Sequence, residues 1–150
     1  MHSISRIALP LVLTLFLAAS ATAQEGKPSG AVQAFWAAVS SKNYAGSWSL
    51  LSKHSQDTII TRVAKDEKMD VTKVRKMFES NSPQTQRGFW DSFRTSSKAD
   101  VFAQGKFKTV SSNNKSAQVT MDGVDPSKLT FKVFREGQTW KVGLIETFPL

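Results

Sequence analysis

Leu129-Thr130-Phe131-Lys132-Val133-Phe134-Arg135-Glu136-Gly137-Gln138-Thr139-Trp140-Lys141-Val142-Gly143-Leu144 is the stretch whose reading decides the fold. Leu129, Phe131 and Val133 alternate with Thr130 and Lys132, and Trp140, Val142 and Leu144 alternate with Lys141 and Gly143. A period of two puts successive side chains on opposite faces of a strand. Glu136-Gly137-Gln138, between the two runs, carries the glycine that a tight hairpin turn takes. The stretch therefore reads as two antiparallel strands, each with one apolar and one polar face.

The same period extends upstream. Ala117, Val119 and Met121 alternate with Ser116, Gln118 and Thr120, which gives another strand, and Asp122 to Ser127 reads as the loop after it. Val101, Ala103, Gly105 and Phe107 alternate with Phe102, Gln104, Lys106 and Lys108. That run is expected to be the first of four strands, with Ser111-Ser112-Asn113-Asn114 as the turn that follows.

Before Ser96 the period is helical. Val32, Phe35, Trp36 and Val39 fall at i, i+3, i+4 and i+7, with Ser29 placed to cap the helix. Tyr44 to Leu51 reads as a second helix, with Tyr44, Trp48 and Leu51 on one side. Ser52 to Gln56 reads as a turn, after which Asp57 caps a continuation through Ile59, Ile60 and Val63. Asp70 caps a helix to Ser80, and Ser82-Pro83 stops it. Thr85 to Thr95, with Phe89, Trp90 and Phe93, is a further short helix. Helices first and a strand meander second imply an α+β fold, N-terminal helices packed on a curved antiparallel four-stranded sheet. Residues 31–150 read as a single α+β domain behind a flexible leader at 24–30 that holds Gly26, Pro28 and Gly30.

Residues 1–23 have the three-part layout of a signal peptide. Arg6 supplies the positive start, Ile7 to Leu17 the apolar run, and Ala21-Thr22-Ala23 a small-residue cleavage site. The apolar run is too short for a spanning helix, which needs roughly 20 residues. The expectation is cleavage after Ala23 and export to the periplasm or the medium.

The chain holds 20 basic and 12 acidic residues, a formal net charge of +8, and no cysteine. The absence of cysteine excludes a disulfide framework, thiolate catalysis, thiolate metal sites and a lipid carried on an N-terminal cysteine. Basic charge on an exported protein favours anionic partners, or simply keeps the domain soluble. Lys106, Lys108, Lys132 and Lys141 take outward strand positions and form a candidate anion patch; a solvated face is the alternative.

The order of motifs resembles a known superfamily. Ala31-Val32-Gln33-Ala34-Phe35-Trp36-Ala37-Ala38-Val39 is followed by Lys42-Asn43-Tyr44-Ala45-Gly46-Ser47-Trp48-Ser49-Leu50-Leu51. Ala117-Gln118-Val119-Thr120, Leu129-Thr130-Phe131-Lys132-Val133 and Arg135-Glu136-Gly137-Gln138-Thr139-Trp140-Lys141-Val142 come near the end. Together these resemble the nuclear-transport-factor-2-like superfamily, a cystatin-like α+β cone that includes ketosteroid isomerase and many small bacterial envelope proteins. The likeness covers both ends of the chain; the helical middle is longer than that family's usual arrangement. It implies a pocket enclosed by helices and sheet, used for isomerisation, dehydration, hydrolysis or ligand binding, and a homodimer through the sheet. Fold alone does not choose among these.

Candidate chemistry is sparse. His54 and Asp57 lie three apart, which on a helix makes an acid–base dyad or an ordinary solvated pair. Asp91 and Glu146 sit among apolar residues, where a carboxylate with a raised pKa can serve as a general base. A single histidine after the leader, without clustered carboxylates, falls short of a metal-ligand set, and no metal or cofactor is expected. Trp36, Tyr44, Trp48, Trp90 and Trp140 are candidate pocket walls or plain core. Two functions follow. One is an exported, non-catalytic domain that holds a small apolar or amphipathic ligand, or an envelope protein. The other is a small pocket enzyme with a buried carboxylate or His54 as base.

Overall fold

A computed structural model of the chain describes residues 26–150; the leader read as a signal peptide lies outside the described residues. The C-terminal hairpin is as the alternation requires. Strands β3 (Phe131–Glu136) and β4 (Thr139–Gly143) pair antiparallel from Lys132 opposite Gly143 to Glu136 opposite Thr139. Gly137 turns the chain at φ +62°, a conformation that costs glycine little and other residues more. With β1 (Phe107–Ser112) and β2 (Ser116–Met121) they form one sheet in the order β1-β2-β3-β4, every pair antiparallel.

Register assigns the faces. Val119 opposite Phe131 and Ala117 opposite Val133 are buried, with Val142 beside Val133 on the next strand. Gln118 opposite Lys132 and Phe134 opposite Lys141 fall on the other face. Helix α1 (Pro28–Ser40) lies across the buried face and touches all four strands. Its stripe of Val32, Phe35, Trp36 and Val39 is essentially inaccessible. The helix opens two residues earlier than expected. Pro28 occupies its first turn, where the missing N–H costs nothing, and Lys27 stands at the N-cap. Ser29 is thus inside the helix rather than capping it, and its N–H reaches Thr109 Oγ1 on β1 at 3.2 Å.

Asn43 caps α2 (Tyr44–Leu50) by accepting from the Gly46 N–H at 3.1 Å. The turn expected at Ser52 to Gln56 is instead the start of a continuous helix, α3 (Lys53–Asp66), and Asp57 lies within it. Ser52 is the true cap: its Oγ accepts from the Ser55 N–H at 3.0 Å. Just before it, Leu51 bridges Val142 in parallel and the Ser52 N–H donates to the Val142 carbonyl at 2.9 Å. That short segment covers the otherwise open edge of β4. Asp70 caps α4 (Val71–Glu79) as expected, accepting from Lys73 N at 3.1 Å.

The next helical stretch is broken in phase. Pro83–Thr85 (α5) leads into a π-helical turn, Gln86–Trp90, and then α6 (Asp91–Ser96). The extra residue in that turn lets the adjacent Phe89 and Trp90 both pack inward. The strand expected from Val101 is a short helix up to its third residue, α7 (Ala99–Ala103), so β1 begins only at Phe107. Ala99 and Phe102, three apart, both pack inward, whereas Val101 is 60% exposed. The 3.6-residue period prevails here because Phe102 stacks on Trp36 at 4.5 Å. A last short helix, α8 (Leu144–Thr147), follows β4 and packs on α3. Among the described residues no helix is long and apolar enough to cross a membrane.

Candidate functional site

Aromatic stacking and the C-terminal turn leave a cavity of about 550 Å³ at one end of the helical layer. That volume lies within the span of small-molecule sites, roughly 300–1,000 Å³. Trp36 from α1 forms one wall, sandwiched between Phe102 at 4.5 Å and Phe93 at 5.9 Å. Phe93 stacks in turn on Phe89 of the π turn, 6.1 Å away and nearly parallel. Ile59 and Val63 of α3 face them, and Leu144, Ile145 and Phe148 close the side towards the C-terminus.

This last wall is pinned by a polar clasp. Glu146 accepts from Ser52 Oγ at 2.8 Å and from Ser55 Oγ at 2.6 Å, and Ser55 Oγ also accepts from the Ile145 N–H at 3.1 Å. Both serines are buried at the first turn of α3, where the positive end of the helix dipole favours a carboxylate. Glu146 therefore holds the C-terminal turn against α3.

Polar groups occupy the mouth. Arg62 and Asp66, one turn apart on α3, form an ion pair at 2.9 Å, and Ser97 stands across from them. A shallower groove of about 410 Å³ continues outward, lined by Asp57, Thr58, Thr61 and Lys65. Arg62 and Leu150 border both spaces.

The other candidate residues are distributed through the fold. His54 is exposed on the first turn of α3. Asp57 is engaged by Arg75 at 2.7 Å and by Lys53 at 3.2 Å, and the Arg75 hydrogen bond foremost holds its carboxyl below the usual range. Asp91 accepts a hydrogen bond from the Tyr44 hydroxyl. Of the five aromatics singled out from sequence, only Trp36 lines the large cavity. Tyr44 stacks on Trp90 at 5.5 Å and Trp48 on Phe78 at 4.6 Å, all within the core. Trp140 lies under the Arg135 guanidinium beside a smaller cleft. Register puts Lys108, Lys132 and Lys141 on the sheet face turned from the helices; Lys106 precedes β1 and Lys141 bonds the Ser49 carbonyl. No group of three or more His, Cys, Asp or Glu capable of holding a metal occurs among the described residues.

Burial first, and the Asp91 carboxylate second, push the Tyr44 hydroxyl up to about 12. Below pH 10 this hydroxyl keeps its proton in both folded and unfolded chains, and its contribution to stability is complete. Between about pH 10 and 12 the unfolded chain releases the proton while the folded one retains it, so stability falls. The expected loss is up to about 2–3 kcal/mol. Urea denaturation from pH 9 to 12 should show the drop, and Tyr44→Phe should remove this component; identical pH profiles would discard the assignment.

The cavity's lining also includes residues not proposed as pocket walls from sequence: Phe89, Phe93, Phe102 and Phe148, the aliphatics of α3 and the C-terminal segment, and Arg62, Asp66 and Ser97 at the mouth. Phe89 and Phe93, one turn apart, carried a signal in their spacing. Phe102 did not, because alternation placed it on a wet strand face. No protein-family model, curated protein or solved structure matches the chain.

Proposed function

We propose that this chain is an exported binding domain of the nuclear-transport-factor-2-like type that holds a small amphipathic molecule in the cavity between α3, the C-terminal turn and the Trp36 stack. The observation that carries this reading is the contrast between the cavity's apolar walls and its ion-paired mouth. Convergent apolar walls with a few polar groups at one end are the usual form of a small-molecule site. The order of helices before a four-stranded meander supports the superfamily reading, and the signal-like leader supports export. A catalytic reading needs an ionisable group at the floor, where Trp36 and Phe93 stand.

The test is titration with 1-N-phenylnaphthylamine, an apolar probe that brightens when it leaves water. Saturable binding with one site per chain, and displacement by lipids extracted from the exporting host, are expected. Absence of saturable enhancement by the folded protein would refute the reading.

A further inference from the structure

The cavity's mouth carries the Arg62–Asp66 ion pair and opens on a groove that adds Lys65. We infer that the occupant is a single-chain amphiphile with an anionic head group, its tail among the Phe and Trp side chains and its head on Arg62 and Lys65. This inference rests on the binding reading above and adds the class of ligand.

Thr58, Thr61, Arg62 and Lys65 fall at i, i+3, i+4 and i+7 along α3, so they line one face of that helix. Arg62 and Leu150 border both the apolar cavity and the polar groove, so the guanidinium stands where the two spaces adjoin. The Arg62 bond to Asp66 uses Nε, and among the described residues neither Nη group has a protein acceptor. A guanidinium presents five N–H donors in a planar fork that matches a carboxylate or phosphate. Its outward donors are therefore available for an anion at the mouth.

The neighbouring charges point the same way. Asp57, the second carboxylate of the groove, is already matched by Arg75 and Lys53. Counting Lys53, Asp57, Arg62, Lys65, Asp66, Arg75 and Glu79 together, side-chain cations exceed side-chain anions by one. A cationic head group would meet Arg62 and Lys65, while Asp57 is matched by Arg75 and Lys53 and Asp66 holds Arg62 through Oδ2. The groove's hydroxyls, on Thr58 and Thr61, add neutral partners for head-group oxygens.

Three probes that share one tail separate the terms: dodecanoate, dodecanol and dodecyltrimethylammonium, each titrated calorimetrically below its aggregation concentration. Dodecanoate is expected to bind about tenfold or more tightly than dodecanol, a charge-assisted contact discounted for an exposed site, and the cationic probe weakest. The Arg62→Gln, Lys65→Gln double variant should bring dodecanoate close to the level of dodecanol, with dodecanol itself changing much less than dodecanoate. Its fold should survive, because Arg62 is exposed and an i,i+4 surface pair contributes only a few tenths of a kcal/mol. Equal binding of all three probes would overturn the head-group inference and leave the cavity reading intact. A dodecanoate preference that persists in the double variant would also overturn it. No binding of any probe would overturn both.

Discussion

Replacement of Trp36 by alanine should lower the stability of the chain by about 3–5 kcal/mol, the cost of removing a fully buried large aromatic and leaving a void. The indole is 1% exposed and is the hub of the aromatic layer. It stacks on Phe102 and Phe93 and meets Phe35 and Phe131 edge-on at 5.1 and 6.1 Å. Each such pair adds about 0.5–1.5 kcal/mol beyond area burial, so loss of the hub loosens α1, α6, α7 and β3 together. Against a total stability of about 5–15 kcal/mol, this is a large share of the whole. Urea denaturation followed by far-UV circular dichroism should show the midpoint falling by roughly 2 M. Trp36→Phe is the informative companion. Trp36 Nε1 is buried with no hydrogen-bond partner among the described residues, so this variant removes an unsatisfied donor and should cost clearly less. A loss below 1 kcal/mol in the alanine variant would show that Trp36 is a ligand wall without a core role.

Filling the cavity should do the reverse: leave stability alone and remove binding. Val63 lines the cavity and is only partly buried, so the indole of Val63→Trp can enter open space between α3 and the Phe89–Phe93 stack. Displacing ligand atoms equivalent to three methylenes forfeits about 0.8 kcal/mol each, on the order of a 50-fold loss in affinity for the apolar probe. Denaturation midpoints should stay within about 1 kcal/mol of the parent, since no packed neighbour has to move far. A folded Val63→Trp protein that binds the probe as tightly as the parent would place the binding site elsewhere.

The strands were legible wherever one face was buried and the other wet. Phe131, Val133, Trp140 and Val142 are all buried, and the polar residues between them are not, so a period of two survives into the structure. The first helix was legible for the same reason at a period of 3.6. Val101 to Phe107 misled because its alternation had no buried face to support it: Val101 is exposed, Gly105 has no side chain, and Phe102 is drawn inward by Trp36. Ser52 is not legible as a cap because the polar run Ser52-Lys53-His54-Ser55-Gln56 has no apolar spacing of its own. What makes that run helical is remote: Glu146 clasps both serines, and Leu51 leans on Val142.

Local periodicity thus determined the class of the fold, the pairing of the last strands and the cap at Asp70, because those features depend on neighbours within a few residues. The charge excess and the absence of cysteine chemistry were also present in the chain as written. The cavity belongs to the tertiary structure alone. Its walls come from α1, α3, the π turn, α6, α7 and the C-terminal turn, brought together from positions 36 to 150. Which of the chain's aromatics line that space, and which merely fill the core, was settled by packing. Trp90 and Trp48 found partners in Tyr44 and Phe78, whereas Phe89, Phe93 and Phe102 were left with one face towards the void. Sequence spacing carries the direction of a side chain from its own helix or strand, but an empty volume exists only between elements, and no single element encodes it.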